Sequence, residues 1–217
     1  LKGGVDVMKY SCVICAAGSG SRMNLGYNKV FYPISEDKTV LDLTISVFDQ
    51  DEECDEIIVV TQKENFERVF SSNKLKLTEG SSTRSLSVFE GLKLVKNEFV
   101  MIHDGARPYV TLKNLNDIKE CLREHDACLL AVACVDTIKV VDGTTVVQTP
   151  KRATLWNAQT PQAFKTELIK TAYQKSFNLN IEVSDDASVV ELCTDIPVQI
   201  VKGDYQNIKI TNPQDIK

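Results

Sequence analysis

Apolar residues fall along this chain in short runs separated by amphipathic stretches. Tyr10–Ile14, Glu56–Thr61, Phe99–His103 and Ala127–Cys134 are bounded by turn residues, which predicts buried strands. Leu75–Thr78 is a weaker strand candidate, and Val198–Val201 and Asn207–Thr211 predict two late strands. Helical spacing recurs between them. Leu41, Ile45 and Phe48 share one face of Val40–Phe48. Leu86, Phe89, Leu92 and Val95 share one face of a helix opened by the polar turn Glu79–Arg84. Asn65–Phe70 predicts the start of another helix, and Thr111 caps one running to about Glu124. Thr166–Phe177 and Asp185–Leu192 predict two more, and Asn212-Pro213 starts a last one. Strands alternating with helices give an α/β fold, a mostly parallel sheet flanked by helices on both faces. Ligands of such sheets sit beyond the carboxyl ends of the strands.

The segment Val135–Ala153 breaks this rhythm. Asp136–Val141 and Thr144–Thr149 flank Asp142-Gly143, the pair that marks a tight hairpin. A two-stranded ribbon is marginal alone in water, so this arm is expected to protrude and pack on a second copy, giving a homodimer. The chain otherwise reads as one domain, 8–217, with the arm at about 135–153. Leu1–Val7 precede Met8, read as an expression scar or a mis-set start, and are set aside from the fold.

Composition narrows the partners. At 217 residues the chain is long enough for a sizeable core, and its net charge of −5 argues against nucleic acid or an anionic membrane. No apolar run approaches a membrane span or a signal-peptide core. Seven cysteines is an odd number, and most lie in apolar runs, which predicts reduced, buried thiols in a cytoplasmic protein. Any basic site must therefore be local, built from a few placed Arg and Lys.

The loop Cys15–Lys29 supplies such a site. Ala16, Ala17, Gly18 and Gly20 follow the first strand, where small residues let backbone N–H groups approach phosphate oxygens, and Arg22 and Lys29 add two positive charges. It is neither of two familiar phosphate loops. Met23 stands where a dinucleotide fingerprint needs its third glycine, and no Gly-Lys-Ser/Thr triplet occurs. A tight turn without a ligand would also use these glycines, but would have no need of two cations. Asp104 ends a predicted strand and reads either as a ligand for a hard cation or as a helix cap or local partner of Arg107. Arg107 reads as an anion grip or a loop brace. His103 and His125 read as structural, Trp156 and Phe164 as core or arm packing, and Lys209 between Ile208 and Ile210 as a solvated face. No Ser-His-Asp pattern or metal-spaced His/Cys set appears.

Taken together these pieces resemble the 2-C-methyl-D-erythritol 4-phosphate cytidylyltransferases of the non-mevalonate isoprenoid pathway. The matching motifs, in the family's order, begin with AAGSGSRM (Ala16–Met23), Lys29, the turn with Arg84 and Ser87, and HDGARP (His103–Pro108). VDTIK (Val135–Lys139), Arg152 with LWNAQTPQAF (Leu155–Phe164), SDDAS (Ser184–Ser188) and NIKIT (Asn207–Thr211) follow. The resemblance implies a Rossmann-like nucleotidyltransferase fold and a dimer joined through the ribbon. It also implies the reaction: CMP passes from CTP to the sugar-alcohol phosphate, pyrophosphate leaves, and Mg2+ or another divalent cation assists. By resemblance Arg22 and Lys29 stabilise the transition state, and Arg152 and Lys209 position the attacking phosphate. Asp104 and Arg107 lie beside metal and substrate, and Thr137 reaches the neighbour's site. Ala16, Ala17, Gly18, Gly20 and Gly105 match the nucleotide-binding backbone, and Ser81, Ser82, Arg84 and Ser87 the turn that reads the cytosine.

The chain also departs from the family pattern. Cys15 and Asn28 stand where proline is common, Val30 where glutamine is common, Ser81-Ser82 in place of a Gly-Gly/Asp-type turn, and Gly105 in place of alanine. The nearest rival reading is a ribitol-5-phosphate cytidylyltransferase. LWNAQTPQ and SDDASVVE favour the methylerythritol branch. A catalytically silent nucleotide-binding dimer module would have little reason to keep Arg22, Lys29, Asp104, Arg152 and Lys209 together. A nicotinamide oxidoreductase lacks its third glycine.

Overall fold

The computed structural model describes residues 7–18 and 26–215. The first apolar run forms strand β1 (Tyr10–Cys15), and its alternation organises both halves of the core. Cys12 and Ile14 point to one face of the sheet, where Leu41, Ile45 and Phe48 of helix α1 (Val40–Gln50) meet Leu115, Ile118 and Leu122 of α3 (Leu112–Leu122). Val13 points to the other face. There α2 (Arg84–Leu92) packs with α4 (Thr166–Asn178) and α5 (Asp186–Cys193) around Val88, Leu92, Ile169, Tyr173 and Val190. Cys12 and Cys15 thus face opposite layers, and all seven cysteines are free thiols.

The remaining strands are β2 (Cys54–Thr61), β3 (Leu75–Glu79), β4 (Phe99–Asp104), β5 (Ala127–Ala133), β6 (Val140–Asp142), β7 (Thr145–Gln148), β8 (Trp156–Lys165) and β9 (Gln199–Lys202). Among the described residues the main sheet runs β3-β2-β1-β4-β8-β5-β9. Every neighbour pair is parallel except those of β8, which is antiparallel to β4 and β5. The mostly parallel α/β reading therefore holds. The ribbon of β6 and β7 is a separate two-stranded sheet turning at Gly143 (φ +55°), with Val140, Val141, Val146 and Val147 exposed.

Three expectations need correction. Lys63–Arg68 is a short 3-10 segment rather than the opening of an α-helix, because it has only six residues before the chain turns toward β3. Asn207–Thr211 joins no sheet. Asn207 and Ile210 are both fully buried, a spacing of three that no strand gives, and the run lies over the loop after β4 through Ile210 N–H to Ala106 O (2.8 Å). The last predicted helix is a 3-10 turn, Pro213–Asp215, whose Asp215 carboxylate accepts from Thr211 N and Asn212 N.

The longest strand, β8, is absent from the pattern of apolar runs because Pro161 interrupts it. Leu129 pairs with Gln162 but Ala131 pairs with Ala158, so Gln159-Thr160-Pro161 bulges out of the ladder, where a missing N–H costs nothing. Thr160 uses the bulge to brace β4. Its hydroxyl accepts from Asp104 N–H at 3.0 Å and donates to His103 Nδ1 at 3.0 Å. His103 Nε2 faces the Arg107 carbonyl at 3.1 Å, and since a carbonyl only accepts, this nitrogen carries the proton. Trp156, at the outer end of β8, is exposed, whereas Phe164 is core.

Burial drives the His103 imidazole from the usual 6.5 down to about 4, against the raising effects of the Arg107 carbonyl and Asp104. A base whose native pKa is depressed contributes stability that is complete above 6.5 and declines as pH falls toward 4. Over that window the native state should lose about 3 kcal/mol through this group. The carboxylates lowered by folding, Asp51, Glu56, Asp104 and Asp215, lose their contribution as pH falls through ordinary values of 3.8 to 4.5, so they overlap only the acid end of this window. An NMR titration of the imidazoles checks this: His103 stays neutral at pH 5.5, and a midpoint near 6.5 would contradict its sealed, neutral role.

Candidate active site

The carboxyl ends of β1 and β4 open onto one cavity of about 550 Å³. Its wall combines Ala16, Ala17 and Gly18 after β1, Asn28 and Lys29 from the far side of the glycine loop, and Ser81, Ser82, Arg84 and Ser87 around the start of α2. Asp104 ends β4, and Lys209 comes from the C-terminal run. Gln62, Thr83 and Ala106 also line it. Ala16 N–H bonds Val60 O (2.8 Å) and Gly105 N–H bonds Cys15 O (3.0 Å), so the loops leave from a fixed strand end. Gly80 permits the closest approach between two of them: a Cβ there would sit 2.3 Å from the Ala17 side chain.

The turn before α2 is internally satisfied. Thr83 caps the helix by accepting Leu86 N–H (3.2 Å). The Ser87 hydroxyl accepts Ser81 N–H (2.9 Å) and donates to Thr83 O (2.8 Å), which holds Ser81 and Ser82 at the cavity rim.

Charge is concentrated at Asp104. Its Oδ2 lies 2.8 Å from Lys209 Nζ and 3.6 Å from Arg107 Nε, and its Oδ1 lies 3.6 Å from Arg84 Nη2. Burial alone would raise this carboxyl, but Arg84, Lys209 and Arg107 outweigh it and hold the group well below the usual carboxylate range. Asp104 thus pairs with Arg107 and also faces the cavity. Arg84 is anchored from behind: Nη1 and Nη2 donate to the two oxygens of Asp186 at 3.0 and 2.7 Å. Asp186 is fully buried and also accepts from the Tyr173 hydroxyl. Burial lowers Arg84, but Asp186 raises it further, so it stays charged. Cys15, at the cavity edge, is pushed up to about 12 by burial and is a neutral thiol.

The structure thus brings Ala16, Ala17, Gly18, Lys29, Ser81, Ser82, Arg84, Ser87, Asp104 and Lys209 to one cavity. Gly105 underlies it, and Arg107 stands behind Asp104 with Nη1 donating to Asn207 O (2.7 Å). Lys209 is not a solvated face. Thr137 and Arg152 lie away from this cavity, at the base of the ribbon, and Arg152 Nη1 donates to Val135 O (3.2 Å). Gly20 and Arg22 fall outside the described residues. Sequence reasoning met Asp186 only as part of the SDDAS motif, with no role, and missed Tyr173. The capping pattern accounts for Asp185, which accepts Ser188 N–H, but it does not reveal the bond from Asp186 to Arg84.

This arrangement suits a polyphosphate: among the described residues three cations, Lys29, Arg84 and Lys209, line the cavity beside a single carboxylate in a chain of net charge −5. Residues 10–217 match the family described as IspD, 2-C-methyl-D-erythritol 4-phosphate cytidylyltransferase. The chain belongs to that family. Curated members from Geobacillus thermodenitrificans and Halalkalibacterium halodurans are 40% and 42% identical to it, each over 96% of this chain and 94% of theirs. Among solved structures, 4-diphosphocytidyl-2C-methyl-D-erythritol synthase from Anaerococcus prevotii superposes with a TM-score of 0.84 at 35% identity, covering 97% of this chain and 96% of that one. The Thermus thermophilus cytidylyltransferase gives 0.80 at 27% identity, covering 96% of each. The family is one of nucleotidyltransferases.

Proposed function

We propose that this chain transfers CMP from CTP to 2-C-methyl-D-erythritol 4-phosphate, giving 4-CDP-2-C-methyl-D-erythritol and pyrophosphate. The observation that carries the reading is the cationic cavity at the carboxyl ends of β1 and β4, in a chain of this family. A phosphate oxygen of the alcohol phosphate attacks the α-phosphorus of CTP, and the bond to the bridging oxygen of the β-phosphate breaks in line. An alkyl phosphate is largely ionised at neutral pH, so no general base is required. The neighbourhood agrees, because His103 is sealed and neutral and Asp104 is tied to cations.

Lys29 and Arg22 stabilise the charge that gathers on the α-phosphorus. Lys209 and Arg107 on one protomer, and Thr137 and Arg152 at the base of a neighbour's ribbon, position the attacking phosphate. Among the described residues no cluster of three or more His, Cys, Asp or Glu side chains could hold a metal alone. A single carboxylate among the described residues of the cavity, Asp104, suits magnesium, which is commonly held by one or two carboxylates and substrate phosphates. Asp104 would hold it, and the ion would neutralise charge on the CTP phosphates. Exposed valines on the ribbon support a homodimer, and free thiols support a cytoplasmic setting. No described helix is long and apolar enough to cross a membrane.

Pyrophosphate release in the presence of CTP and magnesium is expected with methylerythritol phosphate and not with ribitol 5-phosphate. Release with ribitol 5-phosphate alone would move the chain to the polyol-phosphate branch. Mixing Lys29→Ala with Arg152→Ala should restore part of the turnover that each has lost, because a heterodimer rebuilds one intact site. No recovery in verified heterodimers would remove the shared site.

A further inference from the structure

The residue before Lys29 does work that nothing in the reaction itself demands. Asn28 is only 6% exposed, and its side chain bonds in two directions. Nδ2 donates to the Ala16 carbonyl, at the carboxyl end of β1, and Oδ1 accepts Val30 N–H at 3.2 Å, capping the 3-10 turn Lys29–Phe31. Ala16 O also accepts the Thr61 hydroxyl (3.1 Å), so the anchor point belongs to the rigid sheet. On the other side of the turn, the Arg68 guanidinium lies 4.3 Å from the Phe31 ring centroid and 5.6 Å from that of Tyr27. Val30 and Phe31 are 3% and 2% exposed. Lys29 therefore projects into the cavity from a turn whose neighbours on both sides are buried, with one side chain stitching it to the strand end.

We infer that Asn28 is a positioning residue for Lys29: its two hydrogen bonds fix the turn so that the ammonium is preorganised at the reacting phosphate. The inference rests on the reading of Lys29 as a transition-state stabiliser. Preorganisation of this kind shows in turnover rather than in ground-state binding, and small misplacements can cost up to about 100-fold. The backbone gives a second handle. Asn28 sits at φ −65° and ψ 123°, the conformation that a proline ring imposes by itself, so a proline here replaces the stitch by a covalent restraint. Arg68 is exposed and its contribution is correspondingly smaller.

The test is steady-state pyrophosphate release by Asn28→Ala, Asn28→Ser, Asn28→Pro, Lys29→Ala and the double variant Asn28→Ala/Lys29→Ala, each checked for folding by circular dichroism. Serine keeps an acceptor for Val30 N–H but does not reach Ala16 O, so it stands in if the alanine variant does not fold. Asn28→Ala or Asn28→Ser lowers kcat by about 10- to 100-fold and leaves KM for CTP within about threefold. Asn28→Pro recovers most of that loss. In the Lys29→Ala background, the alanine at 28 costs less than about twofold more, because the residue it served is gone. A kcat for Asn28→Ala and Asn28→Ser within twofold of wild type, with Lys29→Ala strongly impaired, overturns the inference and leaves the Lys29 reading standing. An equal further drop in both backgrounds also overturns it. Wild-type turnover in Lys29→Ala overturns the Lys29 reading and with it this inference.

Discussion

A carboxylate buried at the end of a central strand costs several kcal/mol unless charged partners come to it, and in this protein they come from three directions. Asp104 draws Arg84 from the first turn of α2, Arg107 from its own loop and Lys209 from the C-terminal run. Meeting at one group only 7% exposed, they bring together segments that lie far apart in sequence. The cationic cavity follows from this junction. With Asp104 holding Lys209 and Asp186 holding Arg84, both cations are fixed in the wall before any ligand arrives.

The support beneath the junction is polar and ordered. The β8 bulge sends Thr160 to the Asp104 backbone and to His103, and Asn207 Nδ2 donates to the Thr160 carbonyl (2.9 Å). Gln162, beyond the bulge, accepts Ala187 N–H (2.7 Å) and donates to Asp185 (2.8 Å), which seats the start of α5 and so Asp186. A single irregular strand therefore braces both the carboxylate and the anchor of the arginine that faces it. This fits a reaction in which the protein stabilises charge and aligns phosphates instead of transferring protons.

Much of the frame was legible because burial leaves a period in sequence. The apolar run Tyr10–Ile14 predicted a buried strand, and the helical spacing of Leu41, Ile45 and Phe48 predicted a helix face that is found packed in the core. Where side chains serve a polar network the period fails. Pro161 hid β8, and Lys209 between two isoleucines read as a strand's solvent face when its run crosses the β4 loop instead. The loop motifs singled out Asp104 and Ser87, both of which line the cavity. The roles of Asp186 and Tyr173 were not legible, because a buried ion pair between α2 and α5 has no local sequence signature.

The Asp104 junction sets the charge of the site. Pyrophosphate release by Asp104→Asn, measured across a magnesium titration with CTP and methylerythritol phosphate, tests it most directly. The isosteric amide keeps the side chain's shape but removes its charge. Folded Asp104→Asn protein should lose about 100-fold or more in kcat/KM at every magnesium concentration. Turnover within threefold of wild type would contradict it.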